Sequence, residues 1–311
     1  MALWVPVAFA QKKIPVIGFL WNDAITPSPY AAVLLAALRE KGYESGRNIR
    51  IDDRVALEGY GPMDRNAEAL AASRVDVIVA YGRTATQAAT RATKEIPVVT
   101  VIGSDPVAAG LAASLSRPGG NVTGVYTLGS DLIAKRVELL RELVPGIKQF
   151  GVLLASGAAG YSASRQNFEG LARSQGMAVQ FGAVGTPAEI DAAVAGLARS
   201  KVRGLVVLGS TMLAARAAQV VAAAEKHRLP AVYSVDRFAD AGGLLVIGPA
   251  MNKAFARAAN HVVRILEGAR AADLPIEQMN VVELTVNLKA ARAMGIKMPQ
   301  SILVRADRII E

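Results

Sequence analysis

The stretch from residue 75 to residue 110 constrains the fold more than any other part of the chain. An apolar, β-branched run at 75–80 ends in the polar loop Tyr81, Gly82, Arg83, Thr84, and a helical pattern begins at once. A second run, at 98–102, ends in Gly103, Ser104, Asp105 and Pro106, and again a helical pattern follows. Short continuous apolar runs bounded by turn residues read as strands buried on both faces, as in parallel sheets covered by helices. Thr84 and Ser104 or Asp105 stand where N-caps stand, with Pro106 at N1. Parallel neighbours would place both loops on one sheet edge, the edge at which open α/β sheets bind ligands.

The same unit fills the rest of the chain. Strands are expected at 14–20, 48–56, 75–80, 98–102 and 121–126, with helices at 29–41, 64–73, 84–93 and 106–115 between them. After a helix at 134–143 the pattern restarts, with strands at 149–154, 178–182, 204–208, 231–234 and 244–247. Helices are expected there at 164–174 and 187–200, and one running from the loop Gly209, Ser210, Thr211 to Lys226. Two doubly wound α/β lobes follow. The tail, with a helix at 252–267, a strand near 281–284 and a helix at 288–294, is too small for a third domain and shuttles between the lobes. Lobe one is assigned 14–123 plus about 248–275, and lobe two 124–247 plus about 276–311. The chain would cross between them, as a hinge of strands, near 120–126, 243–248 and 275–282.

Several function classes are excluded by what the chain lacks. It has no Cys, so disulfides, thiolate metal sites and a Cys nucleophile are excluded, and an N-terminal lipid anchor is not expected. No G-x-G-x-x-G follows the first strand, and neither a G-x-x-x-x-G-K-[ST] loop nor a G-x-S-x-G elbow occurs. His227 and His261 have no partner at helical spacing, so no metal and no cofactor is expected. The formal charge is +9, spread without a Lys/Arg run interleaved with aromatics, which argues against nucleic acid and for a solvated basic surface. Residues 1–13 are an apolar run ending in Ala8, Phe9, Ala10 and then Gln11, Lys12, Lys13. They read as the remnant of a secretory signal peptide, and no later run is long enough for a membrane span.

Polar loops at the C-terminal ends of strands should face a cleft between the lobes. In lobe one these are Trp21 with Asn22, the loop Tyr81, Gly82, Arg83, Thr84, and Ser104 with Asp105. In lobe two they are Ser156 and Gly157 with Tyr161, Ser210 with Thr211, and Asp236. Thr84 and its helix start, with Ser210 and Thr211 opposite, suit a carboxylate or other anion. Asp105 or Asp236 suits an ammonium, and Trp21, Tyr81 and Tyr161 suit an apolar or aromatic body. A two-lobed cleft with polar loops and no catalytic set reads as a binding protein.

The motifs DVIVA (76–80), TATQA (84–88), IPVV (96–99), DPVAAGL (105–111), PGGNVTG (118–124), LPAV (229–232), VNLKAARAMG (286–295) and RADRII (305–310) occur in one order across the chain. In this the chain resembles the substrate-binding proteins of a bacterial ABC importer family whose better-known members bind tryptophan and related aromatic amino acids. The resemblance implies the type I periplasmic binding protein fold, a small-molecule ligand such as an amino acid or related carboxylate, and a membrane permease as partner. It also implies a periplasmic location and no catalysis; a monomer is expected. Arg83 departs from the small or hydroxyl residue that members of known ligand often carry, and would either bind a ligand carboxylate or face solvent. Two other readings stay open from sequence: a doubly wound enzyme such as a racemase or reductase, for which Asp105 and Asp236 are the visible titratable pair, and a ligand-sensing receptor component.

Overall fold

The computed structural model describes residues 14–21, 29–55, 61–127 and 132–311; Asn22 and the segment 1–13 lie outside them. The first sheet contains β1 (Val16–Trp21), β2 (Arg50–Val55), β3 (Val77–Tyr81), β4 (Val98–Ile102), β5 (Val122–Thr127) and the late strand β11 (Glu277–Met279). Its order is β11-β5-β4-β3-β1-β2, and every neighbouring pair is parallel. The second contains β6 (Gln149–Ala155), β7 (Ala178–Val184), β8 (Leu205–Val207), β9 (Ala231–Tyr233), β10 (Leu245–Pro249), β12 (Val282–Asn287) and β13 (Arg308–Ile310). Its order is β13-β12-β10-β9-β8-β6-β7, with β10 and β12 antiparallel. Each sheet therefore carries the same five-strand doubly wound arrangement, β2-β1-β3-β4-β5 in one and β7-β6-β8-β9-β10 in the other. In this arrangement strand order reverses between β1 and β3 and between β6 and β8, the positions that open a crevice at the strand ends.

The apolar runs form strands because helices cover both of their faces. On one face of the first sheet lie α1 (Pro29–Glu40) and α10 (Met251–Leu266), burying Leu34, Leu38, Phe255, Ala258 and Val262 against Ile17, Phe19, Val77 and Val79. On the other lie α2 (Met63–Ala72) and α3 (Gly82–Ala92), where Ala85, Ala88 and Ala89 meet Leu20, Ile78 and Ala80. That spacing puts the three small residues on one stripe of α3 and lets the helix approach the sheet closely. In lobe two, α4 (Ile133–Leu143), α5 (Tyr161–Ser174), α11 (Leu288–Ala293) and α12 (Gln300–Leu303) cover one face. The other is covered by α6 (Ile190–Arg199), α7 (Thr211–Ala215), α8 (Ala217–Lys226) and α9 (Arg237–Asp240).

The chain passes between the sheets after Thr127, after Pro249 and between Met279 and Val282. The first two passages fall a few residues beyond the spans read from sequence. The reason is that β5 and β10 keep pairing to their ends, with Tyr126 opposite Ile102 and Pro249 opposite Val282. Three other expectations are corrected. Residues 106–115 form turns and bends, not a helix: Gly110 adopts φ +69° and closes a turn in which Gly110 N donates to Val107 O and Leu111 N to Pro106 O. The helix expected from Thr211 to Lys226 breaks at Arg216 into α7 and α8. Helix α3 starts at Gly82, so Thr84 sits inside its first turn and is not its cap.

Candidate functional site

A cavity of about 260 Å³ lies between the lobes, at the C-terminal edges of both sheets. Lobe one contributes Tyr81 to Thr84 after β3, Gly103 and Ser104 after β4, and Thr127 at the end of β5. Lobe two contributes Ala158, Ala159 and Gly160 after β6, Leu208 to Thr211 after β8, Ser234 and Val235 after β9, and Ile133 and Arg136 from α4. Two wider hollows, of about 410 and 600 Å³, lie elsewhere, around Glu142 and around Asn121. Glu142 there pairs with Arg305 at 2.6 Å, and the Asn121 amide donates to the Thr93 and Ile96 carbonyls.

What sets the inter-lobe cavity apart is unmet hydrogen-bonding capacity. Four buried side-chain polar atoms among the described residues lack a hydrogen-bond partner: Arg83 Nε, Ser104 Oγ, Ser234 Oγ and His261 Nε2. The first three all line this one cavity. Leaving a buried polar group unmet costs about 1–3 kcal/mol, more for a charged one, so three around one cavity mark a place where a ligand completes the bonding. Arg136 adds a second guanidinium, 1% exposed, whose Nε donates to Ile247 O at 3.2 Å. Burial lowers its pKa to about 9, because desolvation disfavours the charged form. The rest of the wall mixes apolar residues, including Ile133, Leu208, Val235 and Met251, with the polar side chains of Thr127, Ser164 and Asn167.

Contacts around the cavity join the two lobes. Thr84 Oγ1 accepts a hydrogen bond from Ala159 N at 3.2 Å. Gly82, at φ +83°, faces Thr211 so closely that a Cβ there would lie 2.9 Å from Thr211 Cγ2. Tyr30, on α1, donates its hydroxyl to Asp236 Oδ1, and the Arg237 guanidinium lies 5.7 Å from the Tyr30 ring centroid. Burial pushes the Asp236 carboxyl above its ordinary range, against the bonds from Tyr30 and from Arg237 N that favour the charged form. Burial likewise raises Tyr30.

Of the residues picked out from sequence, Tyr81, Gly82, Arg83, Thr84, Ser104, Ser210 and Thr211 come together around the cavity. Of the others, those among the described residues do not line it. Trp21 is 1% exposed, packed on Phe19 in the lobe-one core, with its Nε1 donating to Asp53 Oδ1 at 3.0 Å. Asp105 is exposed and its Oδ1 accepts from Val107 N and Ala108 N, closing its own turn. Ser156 and Gly157 are exposed, and the loop presents Ala158, Ala159 and Gly160 to the cavity in their place. Tyr161 opens α5 with its hydroxyl toward Arg165, and Asp236 is taken up by Tyr30 and by the first amide of α9. Sequence reasoning missed Ser234 and Arg136. Ser234 stood at the end of an expected strand and carried the same signal as Ser104, whereas Arg136 reads as one more charge on an amphipathic helix.

Two doubly wound lobes of one topology, three chain passages between them and a cavity at the facing strand ends define the type I periplasmic binding protein fold. The model of one family, described as "ABC transporter substrate binding protein", matches residues 13–310, and the chain belongs to that family. It is 28% identical over 263 residues to a tyrosine-binding protein of Clostridioides difficile (strain R20291), covering 85% of this chain and 75% of the relative. Among solved structures, a conserved domain protein from Vibrio cholerae O1 biovar eltor str. N16961 superposes with a TM-score of 0.86 at 26% identity, covering 96% of this chain and 100% of the other. An ABC domain from Streptococcus pneumonia in complex with L-Trp superposes with a TM-score of 0.81 at 27% identity, covering 95% and 99%. The family is a substrate-binding one and not an enzyme class. No helix among the described residues is long and apolar enough to cross a membrane.

Proposed function

We propose that this substrate-binding protein captures an amino-acid-sized carboxylate in the inter-lobe cavity, outside the cytoplasm, and delivers it as a monomer to the permease of an ABC importer. The observation that carries the reading is the convergence of three partnerless buried polar atoms, one of them a guanidinium nitrogen, on one small cavity. An arginine fork matches a carboxylate in both charge and geometry. A volume of about 260 Å³ is that of a single small solute, below the roughly 300 Å³ at which drug-sized pockets begin. Relatives named for tyrosine and solved with L-Trp support a ligand of this size and class. The cross-lobe contacts at Thr84, Gly82 and Tyr30 are the ones that closure over a ligand would make and opening would break. Catalysis is not part of the reading: neither member of the candidate pair Asp105 and Asp236 lines the cavity. Calorimetric titration with L-tyrosine, L-tryptophan and small organic acids, with small-angle scattering in parallel, tests it. Saturable 1:1 binding that lowers the radius of gyration is expected. Absence of binding by every carboxylate, or binding without compaction, would count against it.

A further inference from the structure

The charges that line the cavity say more about the ligand than its size does. Among the described residues on its wall, the charged ones are Arg83 and Arg136; neither Asp nor Glu is present. The two carboxylates at the strand ends nearest in sequence are both engaged elsewhere. Asp105 accepts the amides of its own turn, and Asp236 accepts the Tyr30 hydroxyl and Arg237 N. An amino acid would bring an ammonium with three donors. Among the described residues it would find two guanidinium groups on the wall, no carboxylate, and only neutral acceptors such as Thr127, Ser164 and Asn167, an arrangement that disfavours a further positive charge. The partnerless groups that do face the cavity are a cationic donor, Arg83 Nε, and two neutral hydroxyls, Ser104 Oγ and Ser234 Oγ. These complement a carboxylate and a neutral hydroxyl or oxo group. Ser234 is itself 3% exposed, so its hydroxyl has no solvent to fall back on. The apolar wall formed by Ile133, Leu208, Val235 and Met251 takes the body of the ligand.

We infer that the cleft is matched to an organic acid that carries no ammonium group, a 2-hydroxy or 2-oxo acid with an apolar body, whose carboxylate is taken by Arg83 and whose neutral oxygen is taken by Ser104 or Ser234. This rests on the reading of the cavity as a carboxylate site and narrows it. The selectivity comes from lobe one's Arg83 and lobe two's Arg136 together, which attract the acid group of either ligand class but repel only the amine.

Paired titrations test it: 3-(4-hydroxyphenyl)lactate against L-tyrosine, indole-3-lactate against L-tryptophan, and 2-hydroxyisocaproate against L-leucine. Within each pair that binds, the acid is expected to bind at least tenfold more tightly. Arg83→Gln is expected to abolish most of the acid's affinity while the empty variant keeps the wild-type Tm. A ratio below tenfold, or a preference for the amino acid, overturns this inference and leaves the carboxylate reading standing. Failure of both members of every pair to bind overturns the carboxylate reading, and this inference with it.

Discussion

The loops β3–α3 and β8–α7 occupy the same place in the two lobes, each following the strand beside the point where strand order reverses. They offer different chemistry to the cavity between them. In lobe two, Ser210 is already committed: its Oγ accepts from Leu213 N at 3.1 Å and caps α7. In lobe one, no side chain caps α3; Thr84 reaches across to Ala159 N, and Arg83 Nε is left buried without a partner. Equivalent topology therefore supplies a place for a ligand, and the state of hydrogen-bond satisfaction decides which of the two loops grips it. The β3–α3 loop of lobe one presents Arg83 to the head group, while Ala158, Ala159, Gly160 and Leu208 of lobe two are small or apolar and set the shape.

The sharpest way to break this contrast is Arg83→Gln. A hydrogen bond to a charged group contributes about 1.5–3 kcal/mol, so ligand affinity should fall roughly 10- to 150-fold by calorimetry. The Tm of the empty protein should be unchanged, since Arg83 Nε has no protein partner to lose. Thr84→Val keeps the shape but removes the acceptor for Ala159 N. At about 1 kcal/mol for one neutral bond, the closed form and hence the apparent affinity should weaken about fivefold. Ser210→Ala is the matched change in lobe two. Loss of a cap costs about 1 kcal/mol of helix stability, so it should lower Tm by a few degrees and weaken binding less than either lobe-one change.

The contact between Tyr30 and Asp236 supplies a pH test of how the lobes meet. The Asp236 carboxyl is raised, chiefly by burial, so the folded protein holds its proton more tightly than the unfolded chain does. Its contribution to stability is fully present below the ordinary carboxylate pKa and is lost as pH rises through the raised value. Melting curves across that window should show wild-type Tm falling relative to Asp236→Asn, whose profile should be flatter. A difference that grows as pH drops below the ordinary carboxylate range would contradict this sign.

Much of this was legible in the sequence, for physical reasons that also explain the misses. The tandem apolar runs at 75–80 and 98–102 could be buried only between two helical layers, so the doubly wound lobes and the loops 81–84, 104 and 210–211 followed from pattern. Trp21 was misplaced because an aromatic at a strand's end resembles a stacking platform. Yet Ile17, Phe19 and Trp21 alternate with period two and all face the core under α1 and α10. Asp236 resembled an ammonium ligand because a carboxylate at a strand end is equally a helix cap, and only the position of Tyr30, 206 residues away in sequence, distinguishes the two. The helix expected at 106–115 was stopped by Gly110, whose left-handed backbone closes the turn instead. Arg136 had no local signal at all: its burial depends on α4 lying where the two lobes meet.

The most direct test of the cleft assignment is a crystal structure of the protein with the tightest-binding acid. A carboxylate oxygen within hydrogen-bond distance of Arg83 Nε, with the hydroxyl of Ser104 or Ser234 bonded to the same molecule, is the predicted result. A ligand bound elsewhere, or one in the cleft that leaves all three atoms without a partner, would contradict it.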